Sequence, residues 1–95
     1  MATRINQIDD NINRHTRLRI EGELLGEDAR LLERISLEIR AETGNSVTID
    51  LADLDFLDSE AAPILKRLSN LNGFTIEGVE IFLQSVLNEI ERRGT

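Results

Sequence analysis

The chain has 95 residues, of which 40% are apolar and 31% are charged. This composition is typical of a soluble globular protein, so residues 1–95 are predicted to form a single domain. The formal net charge is −7, and the sequence contains neither Trp nor Tyr. A nucleic-acid-binding protein is therefore not expected, because phosphate backbones require a basic surface and bases stack on aromatic side chains. The absence of cysteine excludes disulfide bonds and Cys–zinc sites.

Neither a membrane span nor an export signal is predicted. No stretch approaches the roughly 20 apolar residues that a spanning helix needs. The first twelve residues are too polar for a signal peptide. We therefore expect a cytoplasmic protein that does not insert directly into a membrane.

The first quarter of the chain predicts two strands. Residues 1–13 carry isoleucines among Asn, Gln and Asp side chains, which favours an edge strand followed by a turn at residues 9–11. Between Thr16 and Leu24, apolar and charged residues alternate, which predicts a strand with one buried face. That face consists of Leu18, Ile20, Gly22 and Leu24. His15, the only histidine, is predicted to lie in an exposed loop before this strand.

A first helix is predicted to begin at Gly26, with acidic residues in its first turn, where the helix dipole favours them. It is predicted to end at Gly44 and Asn45. Its buried stripe is predicted to consist of Leu31, Leu32, Ile35 and Ile39. Leu37 falls on the opposite face.

The second half of the chain predicts a buried central strand at Val47–Leu51, an acidic loop, and a second helix that begins at Asp58–Ser59. Pro63 fits only the first turn of that helix. A short strand at Phe74–Ile76 precedes a third helix. The predicted buried residues are Ala61, Ile64, Leu65, Leu68 and Leu71 in the second helix and Val79, Leu83, Val86, Leu87 and Ile90 in the third. The order β-β-α-β-α-β-α predicts an α/β domain with a largely parallel sheet.

The acidic stretch between positions 50 and 60 does not favour a metal site. Its carboxylates are Asp50, Asp53, Asp55, Asp58 and Glu60. The stretch lacks the glycine and the ligand spacing of a calcium loop. It is also interrupted by Leu54, Phe56 and Leu57, which are predicted to be core residues. A solvated acidic loop at the end of the sheet is the preferred interpretation.

No catalytic constellation is recognisable in the sequence. Ser59 has no histidine near it in sequence, and a hydrolytic triad requires a serine, a histidine and a carboxylate to converge. The six glycines are scattered along the chain and form no phosphate-binding loop. We therefore predict a protein that is not an enzyme and holds no cofactor or metal.

The start of the second helix has a structural and a functional interpretation. Asp58 or Ser59 could cap the helix with a side-chain oxygen, a role worth about 1 kcal/mol. Glu60 would complement the helix dipole. The same residues could instead sense or carry charge at a binding site, because the first backbone N–H groups of a helix are unpaired.

Taken together, these motifs resemble those of the STAS domain, the family of anti-sigma-factor antagonists and of sulfate-transporter cytoplasmic tails. Leu18–Leu24 is similar to the family's second strand. Val47–Leu51 followed by Phe56–Ser59 is similar to the family's signature before the second helix. The resemblance covers nearly the whole chain and implies a mixed sheet of about four strands, with Val47–Leu51 central.

In regulatory members of that family the signature continues as Asp-Ser-Ser-Gly or Asp-Ser-Thr-Gly, and a kinase that is itself the anti-sigma factor phosphorylates the second hydroxyl. The corresponding residues here are Asp58, Ser59, Glu60 and Ala61. Glu60 cannot be phosphorylated in that way and carries one permanent charge where a phosphate would add nearly two. Ala61 replaces the glycine, which reduces the freedom of the backbone. Ser59 is not expected to substitute as acceptor, because a shift of one residue at a helix start rotates the side chain by about 100°.

The resemblance implies a non-enzymatic protein–protein interaction module of the anti-sigma-factor antagonist type, which binds a histidine-kinase-like anti-sigma factor near Glu60. One alternative is an accessory subunit that binds the ATPase of an ABC-type lipid transporter, as some free-standing members of the family do. An alternative of another class is a nucleotide-binding protein, although no phosphate loop supports it. The outward-facing Leu37 and Ile81 are further candidates for contact with a partner or a second copy.

Overall fold

The computed structural model describes residues 3–78, which form four strands and two helices. In chain order these are β1 (Thr3–Asp10), β2 (His15–Leu24), α1 (Gly26–Thr43), β3 (Ser46–Leu57), α2 (Ala61–Ser69) and β4 (Phe74–Glu77). This confirms the predicted order as far as β4. The predicted third helix, with its core residues and with Ile81, lies outside the described residues.

The four strands form one mixed sheet in the order β1-β2-β3-β4. β1 is antiparallel to β2, whereas β2, β3 and β4 run parallel to one another. Both parallel connections pass through a helix and move across the sheet in the same direction. Because such crossovers are right-handed, α1 and α2 lie on the same face. The predicted four-stranded mixed sheet, with β3 as an inner strand, is confirmed.

The turn of the β1–β2 hairpin lies later than the turn predicted at residues 9–11, because Asp9 and Asp10 still pair with β2. The Asp10 carboxylate accepts hydrogen bonds from the backbone N–H groups of Ile12 at 3.2 Å and Asn13 at 3.1 Å, which fixes a tight turn over residues 11–14. His15 is therefore the first residue of β2 and is half-buried, with its Nδ1 2.8 Å from the Ser46 hydroxyl oxygen. The prediction of an exposed loop histidine was wrong for this reason.

The core lies between the sheet and the two helices and consists mainly of leucine, isoleucine and valine. α1 contributes Ala29, Leu32 and the buried Ser36, whose hydroxyl donates to the Leu32 carbonyl at 2.7 Å. The predicted stripe of α1 was wrong at Leu31, which is 41% exposed, because the buried line runs through Ala29, Leu32 and Ser36. Leu37 is exposed, as expected.

The second helix is shorter than predicted. α2 begins at Ala61, so Pro63 occupies the first turn as its missing N–H requires. The helix ends at Ser69. Leu71 therefore lies beyond the helix and is exposed, in contrast to its predicted place in the core.

β3 extends through the stretch that was predicted to be an acidic loop. The buried apolar residues of this strand are Val47, Ile49, Leu51, Leu54 and Leu57. Relative to β2, β3 contains one extra residue between Asp50 and Asp53 and another between Leu54 and Phe56. Each extra residue rotates the side chains that follow it, as β-bulges do. The buried positions therefore change from every second to every third residue, a pattern that resembles a loop when read from the sequence.

Candidate functional site

The candidate site lies where β2 and β3 end and α1 and α2 begin. Leu24 pairs with Leu57 in the last step of the β2–β3 ladder. The backbone N–H of Asp58 then donates to the Leu24 carbonyl at 3.0 Å, which extends the pairing by one residue. The two helix N-termini are thereby held side by side at the carboxyl ends of β2 and β3. Four of the site residues predicted from the sequence, Asp58, Ser59, Glu60 and Ala61, lie at this junction.

Asp58 contacts the start of both helices. Its carboxylate Oδ2 accepts a hydrogen bond from the backbone N–H of Gly26, the first residue of α1, at 3.2 Å. Its backbone carbonyl accepts from the N–H groups of Ala61 at 2.9 Å and Ala62 at 3.3 Å, at the start of α2. The prediction that the side chain of Asp58 or Ser59 caps the second helix was therefore wrong. The Asp58 carboxylate caps the first helix instead.

The start of α1 is completed by Asp28. Its Oδ2 accepts from the backbone N–H of Leu25 at 3.2 Å and from the Thr3 hydroxyl at 2.8 Å. Two carboxylates thus accept hydrogen bonds from backbone N–H groups that would otherwise be unpaired at this terminus. They also place negative charge where the helix dipole favours it.

Glu60 occupies the N-cap position of α2, with a helical backbone (φ −74°, ψ −25°) and no side-chain capping hydrogen bond. Its side chain leans over the start of α1 instead. A Cβ atom at Gly26 would lie 2.6 Å from Glu60 Oε2 and 3.0 Å from Glu60 Cβ. A side chain at position 26 would displace Glu60 from this place, so the glycine leaves room for the arrangement. The Glu60 carboxylate consequently lies beside Asp58 at the same helix terminus.

Ser59 and Ala61 have different environments. Ser59 is exposed in the turn between β3 and α2. Ala61 is fully buried and packs in the core. The exposed part of the predicted site is therefore Ser59 and Glu60, with the half-buried Asp58 beneath them.

Sequence reasoning missed two apolar residues at this end of the sheet. Phe56 was predicted to be a core residue, but it is 49% exposed because the second bulge of β3 turns it outward. Leu25, which follows the last residue of β2, is also exposed. A break in the period-two pattern after Leu51 was the available signal for Phe56. No local pattern indicated Leu25.

Two of the five carboxylates of the acidic stretch are ion-paired. Asp50 accepts from Arg17 Nη1 at 2.9 Å, and Asp53 accepts from Arg19 Nε at 2.6 Å. The pKa of Arg19 is raised by its hydrogen bond to Asp53. These arginines come from β2, which explains why the stretch read in isolation looked wholly acidic.

The remaining carboxylates give the junction a negative surface. Asp55, Asp58 and Glu60 lie at or beyond the end of β3, and Glu23 and Glu27 lie at the end of β2 and the start of α1. No group of three or more His, Cys, Asp or Glu side chains in residues 3–78 is arranged to hold a metal ion. Exposed apolar residues bordered by unpaired acidic ones are suited to binding a protein surface that carries basic groups.

The geometry does not bring Ser59 near the histidine. His15 begins β2, whereas Ser59 follows the end of β3, and the two strands are parallel. The two residues therefore lie at opposite ends of the sheet, separated by roughly 30 Å of strand. They cannot act together as nucleophile and base.

Within the described part of the chain, neither helix has the length and apolar character needed to cross a membrane.

Comparisons with known proteins agree with this architecture. No match was found among curated protein sequences. One similar solved structure is the crystal structure of an antisigma-factor antagonist STAS domain from Rhodobacter sphaeroides, with a TM-score of 0.58 and 16% sequence identity over 82% of this chain and 88% of that chain. At this identity the likeness concerns the fold. The model of the STAS domain matches residues 5–94, and the chain therefore belongs to the STAS domain family.

Proposed function

We propose that this protein is a cytoplasmic, non-enzymatic regulatory module of the anti-sigma-factor antagonist type, which binds a protein partner at the junction of the two helix N-termini. The observation that carries the proposal is the position of Glu60. It is exposed at the start of α2, beside Ser59 and above Asp58, on a negative surface that also exposes Phe56 and Leu25. The structural similarity to the antisigma-factor antagonist STAS domain from Rhodobacter sphaeroides supports the same class of function.

In this proposal Glu60 supplies a permanent charge at the position where regulatory relatives carry a phosphorylatable Ser or Thr. A glutamate offers one negative charge that no kinase or phosphatase can add or remove. The charge lies over the N-terminus of α1, where the helix dipole stabilises it. The folded protein therefore presents this charge without a conformational change. Phosphorylation at this position therefore cannot switch binding on or off. The proposed partner carries basic groups opposite Glu60.

The partner proposed is a histidine-kinase-like anti-sigma factor. Its identity can be tested by affinity capture from the native cytoplasm with three baits: the wild-type domain, Glu60→Ser and Glu42→Ser. Glu42 is also an exposed glutamate, but it lies near the opposite end of α1, so it controls for loss of charge alone. We expect the kinase-like ATPase with the wild type and with Glu42→Ser, and a depleted amount with Glu60→Ser.

Other outcomes of this capture would change the proposal. Recovery of subunits of an ABC-type transporter would make the protein an accessory subunit of that machine. Equal recovery of the same partner by all three baits would remove Glu60 from the binding site. Saturable binding of ATP or GTP to the purified domain would favour the nucleotide-binding alternative, whereas a flat titration would exclude it.

Leu37 is proposed as a secondary contact. It is exposed on the solvent side of α1 and lies well away from the junction, since it is eleven residues beyond Gly26. A single exposed leucine is common on protein surfaces, so it supplements the main site and does not define it. Ile81, the other residue proposed for such a contact, lies outside the described residues.

A further inference from the structure

The outer edge of β1 is a long strand edge that is unpaired among residues 3–78. β1 is at one end of the strand order and contacts β2 on its inner side only. Its eight residues include no proline, no lysine and no bulge. Prolines, lysines and bulges are among the features that prevent an edge strand from pairing with another chain. The charged residues of β1 are Arg4, Asp9 and Asp10. On the outer side, alternate residues of β1 therefore present backbone N–H and C=O groups that pair with no other strand among residues 3–78.

Geometry limits how a second copy could pair with this edge. Two identical antiparallel edge strands are related by a two-fold axis perpendicular to the sheet. The equivalent faces of the two copies then lie on the same side of the combined sheet. Residues opposite each other must then point to the same face, so their numbers must sum to an even value. The registers centred on Asn6 and on Gln7 leave most of the strand paired.

Charge favours the register centred on Gln7. In it, Arg4 of each copy lies opposite Asp10 of the other, which gives two ion pairs across the axis. The Arg4 side chain is 75% exposed and only loosely paired, 3.7 Å from Glu21. Hydrogen bonds from Asn13 lower the pKa of Asp10, so its carboxylate stays charged. The register centred on Asn6 would instead place Arg4 opposite Ile8.

The exposed Ile8 favours the same register. It is 53% exposed on β1, on the face that does not carry the helices. With Gln7 on the axis, the two Ile8 side chains become diagonal neighbours, at a distance of about 7–8 Å between their backbones. Each then covers part of the other. The two central Gln7 side chains are directly opposite and can exchange amide hydrogen bonds.

We propose that two copies of this chain pair antiparallel through β1, with Gln7 on the two-fold axis, to form one continuous eight-stranded sheet. This surface lies at the edge of the sheet and is separate from the junction at Glu60. The proposal therefore does not depend on the proposed function, and each can fail without the other.

Crosslinking tests the register in the full chain, which contains no cysteine of its own. Gln7→Cys is expected to form a covalent dimer with a short bifunctional thiol reagent, since the two thiols face each other. Asn11→Cys is the control, because its two copies would lie about 26 Å apart along the paired strands. Equal crosslinking of both variants, or none of Gln7→Cys, would overturn the proposed register.

Analytical ultracentrifugation tests the dimer itself. The wild type is expected to sediment as a dimer, and Ile8→Lys is expected to weaken the dimer by about tenfold or more, because an edge lysine opposes strand pairing. Leu71→Lys, a similar change at another exposed apolar residue, should leave the dimer intact. Both residues are exposed, so melting temperatures close to that of the wild type would show that the variants fold. A wild type that stays monomeric at millimolar concentration, or an equal effect of both variants, would overturn the proposal.

Discussion

At the scale of single residues, Asp58 connects the strands to the site, because its carboxylate is bonded to α1 and its carbonyl to α2. The sequence correctly indicated that a charged helix start follows β3. It assigned the Asp58 side chain to α2, however, because that helix follows directly along the chain. Gly26 lies within hydrogen-bonding distance of Asp58 only because β2 pairs with β3, and no local sequence pattern encodes this long-range contact.

Truncation of Asp58 tests this capping role. Asp58→Ala is expected to lower the free energy of unfolding by about 1 kcal/mol, since it leaves the Gly26 N–H without its acceptor. Asp55→Ala is the control, because Asp55 is an exposed carboxylate three residues away in the chain. Urea denaturation of the two variants measures the difference. Equal stabilities would show that the Asp58 carboxylate does not support the start of α1.

At the scale of elements, β3 shows both the reach and the limit of sequence reasoning. The alternation from Val47 to Leu51 identified its first half correctly. The second half was predicted to be a loop, because two bulges interrupt the period of two on which strand recognition depends. The same bulges explain why Leu54 is buried while Phe56 faces outward.

Two truncations in β3 test which of its residues face the core after the bulges. Leu54→Ala is expected to destabilise the protein by about 2–4 kcal/mol, as is usual for a buried leucine. Phe56→Ala should cost much less, although it removes the larger side chain, because Phe56 is half-exposed. Thermal or chemical denaturation of both variants provides the comparison. A greater loss for Phe56→Ala would contradict the placement of Leu54 in the core and of Phe56 on the outside.

The two helices are linked by an ion pair whose effect depends on pH. Arg67 of α2 donates to both carboxylate oxygens of Glu33 in α1, at 2.8 Å each. This hydrogen bonding lowers the pKa of Glu33 below its ordinary value of 4.5. Because the folded-state pKa is the lower one, the stabilisation is fully present above that ordinary value. It is lost as the pH falls through the folded-state pKa.

Glu33→Gln is therefore expected to lower the melting temperature at neutral pH and to matter less below about pH 4.5. The effect should be small compared with truncation of a core leucine, since Arg67 is largely exposed and solvent screens the pair. Glu38→Gln, an exposed glutamate on the same helix, is the control. A difference between wild type and Glu33→Gln that persists unchanged at low pH would contradict the assignment.

At the scale of the whole molecule, charge is distributed unevenly. The arginines of β2 pair with Asp50, Asp53 and Glu77 on the face of the sheet without helices. The carboxylates at the junction of the helices have no such partners in the described part of the chain. Negative charge without an ion-pair partner among residues 3–78 is therefore found at the proposed binding surface. Composition predicted the sign of this surface, but only the fold places it beside Leu25 and Phe56.

The central claim is that Glu60 forms part of the docking surface, and the most direct measurement is the affinity of the purified partner for wild type and Glu60→Gln. This substitution removes the charge and keeps the shape over Gly26. We predict that Glu60→Gln weakens binding about fivefold or more, equivalent to roughly 1 kcal/mol, with Glu42→Gln unchanged. Isothermal titration calorimetry at low salt would measure both. Equal affinities for wild type and Glu60→Gln would contradict the claim.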